Sequence, residues 1–105
     1  MSLIEYNSDE AVDRITRPGQ DIFRFRNGYG ASVIQNDASY GGDRGLLEIA
    51  VLRFSGQGPN EFDLCYDTPI ASDVLGYLNR SEAHGILERI SRLPPDARAL
   101  PGARL

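Results

Sequence analysis

At 105 residues the chain has the length of one domain with a single core, and 41% apolar content with nine aromatic residues excludes a disordered polypeptide. Fifteen acidic residues against eleven basic ones leave a net charge of −4, so nucleic acid repels the body at long range and basic protein surfaces attract it. No apolar run approaches the roughly 18–20 residues that span a bilayer, and a lone cysteine, Cys65, excludes an intrachain disulfide.

The N-terminal stretch has no basic region followed by an apolar one, so no signal peptide is expected and the cytoplasm is the expected location. All eleven basic residues are arginine, a bias that a GC-rich coding genome explains. Without the segment from Pro94 onward, which carries Asp96, Arg98 and Arg104, fourteen acids and nine arginines remain, a charge of −5.

Residues 7–16, NSDEAVDRIT, read as a short helix capped by Asn7 or Ser8, with Asp9 and Glu10 at its positive end. RPGQ at 17–20 ends it. The period then changes to two: DIFRFR alternates Phe23 and Phe25 with Arg24 and Arg26, a strand over 21–26. Asn27-Gly28 marks a hairpin, because both residues accept positive φ, and the return strand runs over 30–36. A long turn leads to LLEIAVLRF at 46–54, where Leu47, Ile49 and Val51 share one face and Leu46, Ala50, Leu52 and Phe54 the other. A strand apolar on both sides is central or meets a partner chain. The N-terminal helix or a second copy is expected to cover its second face, with a homodimer favoured.

After the turn SGQGPNE, FDLCYDT forms a strand over 62–68 and Thr68-Pro69 ends the sheet. ASDVLGYL at 71–78 reads as a short helix capped by Ser72. A second helix begins near Asn79 or Ser81 and runs to Leu93, with Ala83, Ile86, Leu87, Ile90 and Leu93 at helical spacing. Asn79 and Glu82 fit a capping box. The expected fold is α+β: a four-stranded antiparallel meander with helices packed on one face, in the order α-β-β-β-β-α-α. Residues 1–93 form the single domain and 94–105 a flexible C-terminal tail.

Five of the eleven glycines fall between Asn27 and Gly45. A phosphate loop directs its backbone amides and a following helix at the anion. Both glycine clusters here lead into strands, and no Gly-Lys-Ser/Thr occurs, so these glycines are turn residues. The block FRNGYGASVIQNDASYGGDRGLLEIAVL, with YDTPIASDVLGYL after it, loosely resembles stretches of short uncharacterised proteins of tailed phages and prophages. The resemblance spans Phe25 to Leu78. It implies phage origin, and neither an activity nor functional residues.

Catalytic signals are sparse. Cys65 and His84 are the single thiol and imidazole, and a nucleophilic pair would need them in contact, oriented by Asp63 or Asp67. One Cys and one His cannot close a zinc site without carboxylates. Glu48, Glu61, Asp63 and Asp67 could line one strand surface for acid–base work or a divalent cation, or serve as a solvated edge that resists sheet aggregation. Tyr29, Tyr40, Tyr66 and Tyr77 fit interface anchors or core residues with wet hydroxyls. The pattern predicts no enzyme, no metal and no cofactor.

Two readings follow. The first is a phage-encoded acidic inhibitor that binds a basic surface of a host protein or ribonucleoprotein defence complex, most simply an anti-CRISPR blocking nucleic-acid access to a CRISPR–Cas effector. Its expected contacts are Asp37, Tyr40, Asp43, Glu61, Asp63 and Asp67, with no direct nucleic-acid binding and no membrane. The second is a phage structural or regulatory accessory that self-associates through the two-sided apolar strand.

Overall fold

The computed structural model describes residues 3–58 and 60–95. Among the described residues the fold is α+β: a mostly antiparallel sheet of six strands with one α-helix on it. The strands are β1 (Ala11–Arg17), β2 (Gln20–Phe25), β3 (Tyr29–Ile34), β4 (Leu47–Phe54), β5 (Phe62–Leu64) and β6 (Leu75–Leu78), and the helix is α1 (Arg80–Ser91). The order is β1-β2-β3-β4-β5, with β6 also paired to β4. β4 therefore pairs with β3 along one side. On the other side it meets β5 over its C-terminal half and β6 over its N-terminal half.

The expected meander survives as β2 to β5, and the sheet is larger because two segments expected to be helical are strands. Residues 11–17 form β1. Val12, Ile15 and Thr16 are β-branched and favour extended backbone, and pairing with β2 outweighs the acidic cap signal before them. Arg17-Pro18-Gly19-Gln20 then forms a two-residue hairpin turn rather than a helix stop: Arg17 pairs with Gln20, and Gly19 adopts φ +74° behind Pro18. The second correction is β6, which takes Leu75–Leu78 as a short edge strand on β4. The strand expected over 62–68 keeps only Phe62–Leu64. The C-terminal helix forms as read, with Asn79 and Glu82 in a reciprocal capping box.

One sheet face carries the main core. Phe23 and Phe25 on β2, Ala31 and Val33 on β3, and Leu47, Ile49 and Val51 on β4 point toward α1, which presents Ala83, Leu87 and Ile90. These helix residues recur at the spacing of one face. The N-terminal segment lies over the same face, where Tyr6 packs edge-on against both phenylalanines at 5.7 and 6.3 Å between ring centres.

The opposite face is closed by the chain itself. Ile22, Leu52 and Phe54 form a second, smaller cluster joined by Ile15 and Phe62. The chain leaving β4 folds back over it: Arg24 donates to the carbonyls of Gly56 and Gln57, and Arg17 to Asn60. Arginine side chains of β1 and β2 thus hold the loop that follows β4 across this cluster. Ala50, Leu52 and Phe54 are buried within the single chain, and Ile15 of the segment expected to be an N-terminal helix packs against this cluster as part of β1. The tail expected over 94–105 lies outside the described residues from Asp96 onward. Among the described residues no helix is long and apolar enough to cross a membrane.

Candidate partner-binding surface

The turn between β3 and β4 is built by its own side chains. The Asn36 amide oxygen accepts the backbone N–H groups of Ala38 and Ser39, each at 2.8 Å, and the Ser39 hydroxyl donates to the Asn36 carbonyl at 2.9 Å. Gly41 at φ +87° and Gly45 at φ +74° bracket a single 3-10 turn at Gly42–Arg44. Three residues of such a turn lead straight into β4, so these glycines shape the turn and make no phosphate loop.

This frame holds Tyr40 at both backbone groups. Its N–H donates to Glu48 at 2.9 Å and its carbonyl accepts the Tyr77 N–H at 3.0 Å. The two rings lie 6.2 Å apart at 31°. Each residue is 56% exposed, more than any other large apolar or aromatic residue described. Gly76 lies against Tyr40 so closely that a Cβ there would collide with the tyrosine's own Cβ. Tyr77 has φ +57°, the one non-glycine positive φ among the described residues. For a bulky side chain that is a strained conformation.

The six residues expected to bind a partner fall into two groups at opposite ends of β4. Asp37, Tyr40 and Asp43 share the turn entering it, all exposed. Glu61, Asp63 and Asp67 belong to the segment after it. Asp37, Asp43 and Asp63 have no ion-pair partner among the described residues. Glu61 and Asp67 serve the fold. The Glu61 carboxylate accepts the Gly58 N–H inside its loop, and Asp67 pairs with Arg53 at 2.7 Å. Glu48 is likewise committed to Tyr40, so the four carboxylates that could have lined one surface do not form one.

The thiol and imidazole sit in different settings. Cys65 is buried in the main core and donates to Asp67 at 3.1 Å. Burial, then that hydrogen bond, push its pKa above the usual 9.0, which disfavours the thiolate a nucleophile needs. His84 is exposed on α1, edge-on to Tyr6 with ring centres 5.5 Å apart. Among the described residues no group of three or more His, Cys, Asp or Glu could hold a metal ion. A cleft of about 610 Å³ lies between the residues after Asn7 and the end of α1. Arg92 pairs there with Glu88 at 2.7 Å and Arg26 with Glu10 at 3.8 Å, which leaves Asp9 as its one acid outside these pairs.

The pattern of ASDVLGYL reads as helical and carries no link between Tyr77 and Tyr40, whereas β6 brings the two together. The signal available was Gly76, a residue that weakens a helix and permits close backbone approach. No protein family matches the chain, and neither a curated protein nor a solved structure is found similar to it.

Proposed function

We propose that the protein is a non-catalytic, phage-encoded inhibitor that occupies a basic surface of a host defence complex. The target whose chemistry fits is a CRISPR–Cas effector, which holds guide RNA and target strand in a positively charged channel. The observation that carries this reading is the exposure of Asp37 and Asp43 beside Tyr40 on an internally braced turn, in a chain of net charge −4. Carboxylates not engaged by the fold are available to compete with phosphates for arginine and lysine, and a preformed turn loses little freedom on docking. The phage resemblance of residues 25–78 supplies the biological setting. Asp63, at the other end of β4, is a further acid outside any ion pair among the described residues, while Glu61 and Asp67 contribute field rather than contacts.

The test has two arms. Tagged protein is used to capture its target from lysate of CRISPR-immune cells, and plaque formation by a targeted phage is scored in cells expressing it. Capture of the effector with restored plaques is expected. Reversing Asp37, Asp43 and Asp63 together to lysine, with native circular dichroism, should abolish both effects. Undiminished inhibition by that variant overturns the acidic-surface mechanism, and finding the protein in purified virions with no effect on immunity replaces it with the structural accessory.

A further inference from the structure

We propose that Tyr40 and Tyr77 together form the seat of an arginine side chain presented by a basic protein partner. The inference rests on the reading of this turn as the contact surface and adds the recognition chemistry that net charge alone does not supply.

Three observations carry it. First, the two rings are held out to solvent although their backbones are firmly fixed. Tyr40 is bound at both N–H and carbonyl, Tyr77 donates to Tyr40, and the residues beside them, Gly41 and Gly76, have no room for a side chain. A Cβ on Gly41 would press on the Cα and ring of Tyr77. Second, Tyr77 keeps a strained left-handed backbone that burial does not explain, since more than half of the residue is exposed. Third, the segments that carry the rings, 36–48 and 72–78, hold Asp37, Asp43, Glu48 and Asp73 against Arg44 alone.

Aromatic faces and carboxylates together select a cation that is also flat. The ring quadrupole attracts a guanidinium, which stacks on it and keeps its N–H groups free for a carboxylate in its plane. The same chemistry recurs within this molecule: the Arg24 guanidinium lies 4.5 Å from the Phe54 ring centre and donates to two carbonyls, and Arg14 lies 4.7 Å from Phe23 while pairing with Asp21. An ammonium gains the charge attraction but less of the stacking. A nucleobase could stack on tyrosine too, but its phosphates would meet the surrounding carboxylates.

The test uses the full chain and three fluorescent probes at low ionic strength: an arginine octapeptide, a lysine octapeptide and an oligouridine. The arginine peptide should bind about tenfold more tightly than the lysine peptide. Tyr40→Ala or Tyr77→Ala should bring it down to the lysine level, while Tyr40→Phe and Tyr77→Phe, which keep the ring face, should retain the preference. Equal affinity for the two peptides, or a preference that survives both alanine variants, overturns the seat. Tyrosine-dependent binding of the oligouridine overturns it in favour of base stacking. Reversal of Asp37 and Asp43 to lysine separates the two levels. Weakened binding of both peptides with the arginine preference intact supports the seat and the acidic turn together. Loss of dependence on these acids with the preference intact supports the seat and removes the acidic turn from the mechanism.

Discussion

The buried Asp21 carboxylate lies 3.0 Å from the Arg14 guanidinium, and this pair latches the N-terminal segment onto the sheet. Asp21 accepts the Leu3 N–H at 2.9 Å, and Arg14 donates to the Ile4 carbonyl at 2.6 Å. Further along the same segment, the Tyr6 hydroxyl donates to Glu88 on α1 at 2.7 Å. The charges thus sit on the core face of β1 and β2, where an apolar residue would be expected, and they hold a strap over Phe23 and Phe25.

Breaking this pair from one side should be costly. Arg14→Leu leaves a fully buried carboxylate without its counter-charge, and such losses amount to about 3–5 kcal/mol. Adding Asp21→Asn to that variant should recover a good part, because the amide oxygen can still accept from Leu3 and Ile4 without a buried charge. Urea unfolding midpoints of the two variants check this. Equal midpoints would show that the charge itself contributes little.

The same pair explains what was legible in the sequence. The four middle strands and the capped helix were readable because their patterns are local: alternation in DIFRFR, a two-sided apolar run at 46–54, and Asn79 three residues before Glu82. β1 was not, because its core-facing position at 14 is an arginine whose burial depends on Asp21, and a bulge between Ala11 and Asp13 breaks the alternation. β6 was obscured by Gly76 and by a positive φ at Tyr77, neither of which belongs to an ordinary strand. The acidic turn could be read as exposed. That Glu61 and Asp67 are spent on Gly58 and Arg53 depends on tertiary contacts that spacing does not encode.

Stability should fall in alkali through two buried groups. Burial and the Glu88 hydrogen bond raise the Tyr6 pKa above its usual 10.0, and burial and Asp67 raise that of Cys65 above 9.0. A raised value means that the folded state holds its proton longer than the unfolded chain does. The contribution is therefore complete below pH 9.0 for the thiol and below pH 10.0 for the phenol. It is lost as pH rises through the raised values. Cys65→Ala and Tyr6→Phe should each flatten the fall in urea midpoint above these limits, even where they lower stability at neutral pH. An unchanged alkaline slope in both would show that other groups drive it.

Asn27 is the buried C-terminal anchor of α1. Its amide nitrogen donates to the carbonyls of Ile90 at 2.9 Å and Leu93 at 3.0 Å, and its amide oxygen accepts the Tyr29 N–H at 3.0 Å. The residue read as a turn former thus adds a donor to the Ile90 carbonyl, which also accepts the Leu93 N–H at 3.2 Å, and pairs the Leu93 carbonyl just beyond the helix. Asn27→Ala should cost about 1–3 kcal/mol through orphaned groups. Asn27→Asp should cost more, since it sets a carboxylate against two carbonyls. Hydrogen exchange in the last turn of α1 should accelerate in both variants, and unchanged protection there would remove this anchor from the account.

Tyr77 offers the sharpest separation of stability from function. At φ +57° an L side chain is strained by about 1–2 kcal/mol, whereas glycine takes that conformation without penalty. Glycine also loses more backbone freedom on folding, which offsets roughly 0.5–1 kcal/mol of the relief. Tyr77→Ala keeps the strained backbone and loses the ring; Tyr77→Gly loses the ring and the strain together. The glycine variant should therefore be the more stable of the two by a fraction of a kcal/mol to about 1 kcal/mol, a difference of a few degrees in Tm for a domain of this size. Both variants lack the aromatic face, so both should fail equally to prefer the arginine peptide. An alanine variant as stable as the glycine variant would mean that residue 77 does not hold the left-handed conformation in solution. Thermal unfolding of the pair, read beside peptide binding, tells whether the strain exists to present the ring.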